Sequence, residues 1–138
     1  QKIYPKIDAA DVIVVASPIF FYNVTSYTQA MVERAQARWV KKYVLKKPPA
    51  SGHDKRGIFL SLGATKGKKL FEGVQRVVRY FFDAVYARYE GGLFYRGIEK
   101  KGAIKEHPSA LKEAYALGLS VGRGEAPEKW PLIRNSCP

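Results

Sequence analysis

The sequence is poorest in cysteine and methionine, with one of each among 138 residues. A lone Cys137 excludes an internal disulfide, and it excludes any four-cysteine zinc or iron–sulfur site held by this chain. The two histidines, His53 and His107, have no partners at metal-ligand spacing, so both read as solvated side chains. Acidic residues are scarce, 12 against 24 basic ones, and no acid pair or catalytic triad stands out. Long apolar runs are missing too. The longest, such as Val12 to Ala16, fall far short of the ~20 residues a membrane-spanning helix needs. The opening Gln1-Lys2-Ile3-Tyr4-Pro5 has no apolar secretory core. A cytoplasmic protein without a membrane partner is therefore expected.

What is present is an ordinary globular composition, 46% hydrophobic and 26% charged, which excludes wholesale disorder. A chain of this size buries about 68% of its unfolded surface on folding, enough for one core. A single domain over 1–138 is expected. The net charge of +12 attracts anions, whether nucleic acid, phosphorylated cofactors or acidic partners. The only methionine is Met31 and the chain opens in the middle of a pattern, so an N-terminally truncated fragment of a longer protein is expected.

Three apolar runs alternate with three helical patterns, the arrangement of β-α units around a parallel sheet. Val12 to Ala16 is β-branched and continuous, as a strand buried on both faces should be. Gly57 to Leu62 is the second run, and Leu93-Phe94-Tyr95, after Gly91-Gly92, reads as a weaker edge strand. A helix is predicted from about Ser26 to Lys46, with Val32, Ala35, Trp39, Val40 and Tyr43 on one side. Its opposite side carries Arg34, Arg38, Lys41 and Lys42. A second is predicted from about Lys68 to Arg88, its apolar arc running from Leu70 and Phe71 through Val74, Val77, Val78, Phe81 and Phe82 to Val85. A third starts at Pro108, favoured at the first helical position, and ends near Gly118 or Gly122. Lys47 to Gly52 is a loop by its breakers, and the tail from Gly124 to Pro138 is expected to wrap the surface.

Ligands of open parallel sheets sit beyond the carboxyl ends of the strands. Two segments leave the first two strands at that edge. Ser17-Pro18-Ile19-Phe20-Phe21-Tyr22-Asn23-Val24-Thr25 offers a hydroxyl, backbone amides near a helix start and three consecutive aromatics. These suit a planar ligand with a polar edge, or a core or subunit interface. Gly63-Ala64-Thr65-Lys66-Gly67-Lys68 allows close backbone approach at the start of a helix. It is not a P-loop: three residues separate its glycines where that motif has four, and Lys69 stands where it needs Ser or Thr.

The stretch Ala10-Asp11-Val12-Ile13-Val14-Val15-Ala16-Ser17-Pro18-Ile19-Phe20-Phe21, running on through Asn23-Val24-Thr25, resembles the NAD(P)H-dependent FMN reductase and iron–sulfur flavoprotein group of flavodoxin-like proteins. Phe20 stands where Tyr is commoner in that group. Leu60 to Gly67, followed by Tyr80-Phe81-Phe82-Asp83, resembles it as well, and the likeness is clearest over about residues 7–90. The resemblance implies an α/β, flavodoxin-like open parallel sheet with helices on both faces, here lacking the first two strands. It implies FMN as cofactor, contacted by Ser17, Pro18, Ile19, Phe20, Phe21, Tyr22, Asn23 and Val24, and by Gly63, Ala64, Thr65, Lys66 and Gly67. NADH or NADPH as electron donor, a protein electron carrier and a homo-oligomer are further implications. The family's phosphate loop has no counterpart here, so weak FMN binding by these 138 residues is expected. An iron–sulfur cluster is expected only in a longer parent, if at all. The alternative is a basic α/β nucleic-acid-binding module acting through Arg34, Arg38, Lys41 and Lys42, and no recognition motif accompanies that charge.

Overall fold

The computed structural model describes residues 2–49 and 52–125. Its elements run α1 (Ile3–Ala9), β1 (Val12–Ala16), α2 (Ser26–Arg34), α3 (Gln36–Tyr43), β2 (Lys55–Gly63), α4 (Glu72–Ala84), β3 (Ala87–Arg96), a 3₁₀ turn (Ala103–Glu106) and α5 (Pro108–Gly122). The three strands form one parallel sheet in the order β1-β2-β3.

The amphipathic arc read from the sequence is the main core. Leu70, Phe71, Val74, Val78, Phe81, Phe82 and Val85 are all buried, packed on Ile13, Val15, Phe59 and Phe94 of the sheet. The opposite sheet face is thinner: Leu117 of α5 covers Ile58 and Leu93, with Leu60 and Tyr95 beside them. Here the expectation of a strand buried on both faces is corrected. Ile13 and Val15 face the main core, but Val14 is 54% exposed because α5 lies over β2 and β3 and does not reach it.

Other departures have local causes. The single helix expected from Ser26 to Lys46 breaks at buried Ala35, whose amide is shared between the carbonyls of Met31 and Val32. The bend lets Arg38 reach Asp8 of α1 with two hydrogen bonds, 2.5 and 2.8 Å, and lets Lys42 reach Asp83 at the end of α4. Helix α1 was not foreseen; Pro5 falls in its first turn, where the missing N–H has no intrahelical partner to lose. Helix α4 is shorter at both ends than the pattern suggested, and the backbone leaves it through Tyr86 at φ 61°. Strand β3 is longer, ten residues, and runs through the glycine pair. The pairing jumps from Gly57↔Tyr89 to Phe59↔Gly92, so Gly91 (φ 100°) forms a bulge. A Cβ on Gly92 would lie 1.6 Å from the Phe59 carbonyl oxygen. Pro108 does open α5. The expected wrap of the tail lies outside the described residues from 126 onward.

Candidate functional site

Parallel pairing continues past the end of β1, through Ser17 N–H to Leu60 O (3.1 Å) and Ile19 N–H to Leu62 O (2.9 Å). The chain then reverses. Phe20 and Asn23 exchange two 2.9 Å backbone hydrogen bonds, and the residues between them, Phe21 and Tyr22, both have positive φ, 48° and 58°. That is the geometry of a type I′ turn, which favours Asn-Gly because left-handed backbone is strained for bulky residues. Two aromatics hold it here. Phe20, Phe21 and Tyr22 are 63%, 104% and 60% exposed, and no other ring packs on them among the described residues. The amides of Phe21 and Tyr22 have no backbone partner among the described residues. Strain of this kind persists where the surroundings over-determine it, and it concentrates at ligand sites.

Those surroundings are visible. Ser17 is buried, and its hydroxyl accepts from the Thr25 amide and donates to the Pro18 carbonyl, both at 3.0 Å. Ser61 of β2 donates to the Ser17 carbonyl at 2.7 Å, and Asn23 Oδ1 accepts from the Val24 amide. Val24 sits in the core. Ser17, Asn23 and Val24 thus hold the turn, while the side chains of Phe20, Phe21 and Tyr22 project from it exposed.

The second loop lies against the first. A Cβ on Gly67 would be 3.6 Å from the Tyr22 hydroxyl, and one on Gly63 would be 3.3 Å from Ile19 Cβ and 2.9 Å from Leu70. Among the described residues, no backbone carbonyl accepts from an amide between Ala64 and Lys69. The loop is anchored from below by Arg96, a buried side chain that donates to the Lys68 carbonyl at 2.5 Å and lies over the Phe71 ring. The result is a run of exposed N–H donors beside an exposed aromatic turn.

A cleft of about 620 Å³ opens along the same strand ends. Its floor is apolar, with Leu60, Leu62 and Leu93, and its wall is Ile98 to Gly102, which carries Glu99, Lys100 and Lys101. Sequence reasoning gave this wall no role. The signal was Gly97 and Gly102, both at positive φ, bracketing a loop at the carboxyl end of β3. Arg96 was missed as well; nothing local marks a strand-end arginine as buried.

The basic face of α2 and α3 is partly neutralised. Arg38 is paired with Asp8 and lies over Tyr4, and Lys42 is paired with Asp83. Arg38 holds the Asp8 carboxyl below its ordinary value, with Lys55 adding to the effect. Burial pushes Asp83 up, but bonds from Lys42 and Tyr43 outweigh it and leave the group low. Lys55, 1% exposed, is pushed down by burial, while its Nζ donates to the Val85 carbonyl. His53 faces Asp11 at 3.3 Å. Among the described residues no group of three His, Cys, Asp or Glu could hold a metal, and no helix is long and apolar enough to cross a membrane. Cys137 lies outside the described residues.

Comparison with known proteins adds two findings. The sequence model of a family described as NADPH-dependent FMN reductase matches residues 1–87. Among solved structures, the chain is similar to the Trp repressor binding protein from Bacillus subtilis, at 15% identity and a TM-score of 0.64, over 84% of this chain and 68% of that one. At that identity the likeness concerns the fold. No curated protein matches the chain.

Proposed function

The chain belongs to the NADPH-dependent FMN reductase family and has a flavodoxin-like fold, and from that premise we propose that it binds FMN and acts as an oxidoreductase with NADPH or NADH as electron donor. The observation that supports this best is the Phe20–Asn23 turn, where two aromatic residues hold left-handed backbone with their rings exposed. The residues fit the group. An isoalloxazine needs an apolar ring surface and hydrogen-bond donors for its pyrimidine edge, and Phe20 to Tyr22 lie beside the unused amides of Ala64 to Lys69.

When bound, FMN supplies the electron acceptor and donor of the reaction. The chain's part is to hold and tune. The exposed rings of Phe20, Phe21 and Tyr22 would hold the flavin by its ring faces. Amides from Ala64 to Lys69, which have no backbone acceptor among the described residues, would offer partial positive charge to a bound flavin's polar edge. Ser17, Ser61 and Arg96 act as positioning residues through the bonds that fix the two loops. A protein electron carrier as acceptor belongs to the same proposal. The nucleic-acid reading has less support, because Arg38 and Lys42, two of its four cations, are engaged within the chain.

The test is the oxidation of NADPH and of NADH by the chain with FMN, followed by absorbance against free FMN. Faster oxidation, with one flavin bound per chain and a displaced flavin spectrum, is expected. A chain that neither alters the flavin spectrum nor accelerates oxidation of either nucleotide overturns the reading.

A further inference from the structure

A second cleft, about 730 Å³, shares no residue with the first. It is lined along α4 by Glu72, Gln75, Arg76, Arg79, Tyr80 and Asp83, and on the other side by Tyr43 of α3. Helical periodicity alone makes most of these a solvated polar face. Two observations set them apart. Gln75 is only 8% exposed, yet its Nε2 has no hydrogen-bond partner among the described residues. Buried amides in folded proteins are almost always paired, so a bare one lining a cleft calls for a partner from outside the chain. Among the described residues no carboxylate lies within 4.0 Å of Arg76 or Arg79, although ion pairs engage Arg38, Lys42, Arg56 and Arg88.

The nearby carboxylates explain where an anion would settle. Asp83 already accepts from Lys42 Nζ and from the Tyr43 hydroxyl, both at 2.7 Å, and Glu72 closes the other end. With Asp83 neutralised by Lys42, Arg76 and Arg79 face only Glu72, which leaves the cleft one positive charge in excess. Arg76 and Arg79 lie three residues apart, on neighbouring turns of one face, and both line the same space. Guanidinium pairs of this kind suit phosphate oxygens, with geometry that lysine lacks. Tyr80 stands beside them with a ring 66% exposed, while the Tyr43 ring is already against Trp39.

We propose that the α4 cleft binds a nucleotide, with its phosphate on Arg76 and Arg79, its base against Tyr80 and a polar group completing the Gln75 amide. The phosphorylated nucleoside comes either from a free nucleotide or from the far end of a nicotinamide dinucleotide. The site is independent of the flavin loops and does not rest on them.

The test is calorimetric titration of the full chain with adenosine 2′,5′-bisphosphate. One saturable site is expected, weakened more than about tenfold in the Arg76→Gln/Arg79→Gln double variant. The Lys105→Gln/Lys112→Gln variant removes two exposed charges elsewhere and should bind as the parent does. Tyr80→Ala should weaken the bisphosphate while leaving inorganic pyrophosphate unaffected. Absence of saturable binding, or equal losses in both double variants, overturns the site, since equal losses mean attraction to net charge alone. Displacement of the probe by NADPH assigns the site to the dinucleotide; no displacement assigns it to a free nucleotide. Parallel titration with FMN separates the two readings. Bisphosphate binding without FMN binding overturns the flavin site only, and the reverse result overturns this one only.

Discussion

Replacing Phe21 by glycine should make the protein more stable and a worse flavin binder. Phe21 holds φ 48° with its ring wholly exposed, so the substitution removes strain and loses no packing. Left-handed backbone costs an ordinary residue about 1–2 kcal/mol relative to right-handed. Glycine gives back about 0.4–1 kcal/mol through the greater freedom of the unfolded chain. The net gain is about 0.5–1 kcal/mol, a rise in melting temperature of about 2–4 °C. Meanwhile the variant lacks one of the three rings the proposed site offers, and flavin affinity should fall. Thermal unfolding by circular dichroism and flavin fluorescence titration measure the two effects on one preparation. A lower melting temperature with unchanged flavin affinity would refute the reasoning, because the turn would then be a structural element and not a strained ligand clamp.

Gly92→Ala should prevent folding outright, seen as insoluble expression, since its Cβ would fall 1.6 Å from the Phe59 carbonyl in the sheet. Ser17→Ala removes the acceptor of the Thr25 amide, and should weaken flavin binding while costing about 1–2 kcal/mol in denaturant unfolding. Asp8→Asn should destabilise by about 1–3 kcal/mol, because Arg38 loses a bidentate partner and buried Lys55 loses its nearest carboxylate. Asp8 is held below its ordinary value of 3.8, so its contribution is complete above that pH and disappears as pH falls through the lower, folded value. Melting temperatures taken from neutral pH down to pH 3 should therefore fall less steeply in Asp8→Asn than in the parent.

The sequence made legible whatever rests on periodicity. The apolar arc of α4 and the boundaries of β1 emerge as read, because each depends on side chains facing one continuous core. What escaped depends on contacts across the chain. Ala35 looks like a good helix residue, and only the ion pairs that Arg38 and Lys42 make beyond the bend, with Asp8 and Asp83, show why the helix turns there. Gly91-Gly92 looked like a strand boundary, whereas it is a bulge set by the Phe59 backbone. At the site, the aromatic triplet and glycine loop were visible as residue types. Their separation into ring-presenting Phe20 to Tyr22 and turn-holding Ser17, Asn23 and Val24 was not, since it follows from positive φ and burial. The cleft wall from Ile98 to Gly102 carried no motif and became visible only through its place at the end of β3.

Backbone amide NMR of the chain titrated with FMN tests the central claim most directly, because even weak binding moves the amides at the contact. The account predicts shifts concentrated at Phe20 to Asn23 and at Ala64 to Lys69, on neighbouring loops that are separated in sequence by two helices and a strand. Riboflavin, which lacks the phosphate, should move the same amides, since these loops are assigned to the ring system. No shifts at millimolar FMN, or shifts confined to residues outside these two loops, would contradict it.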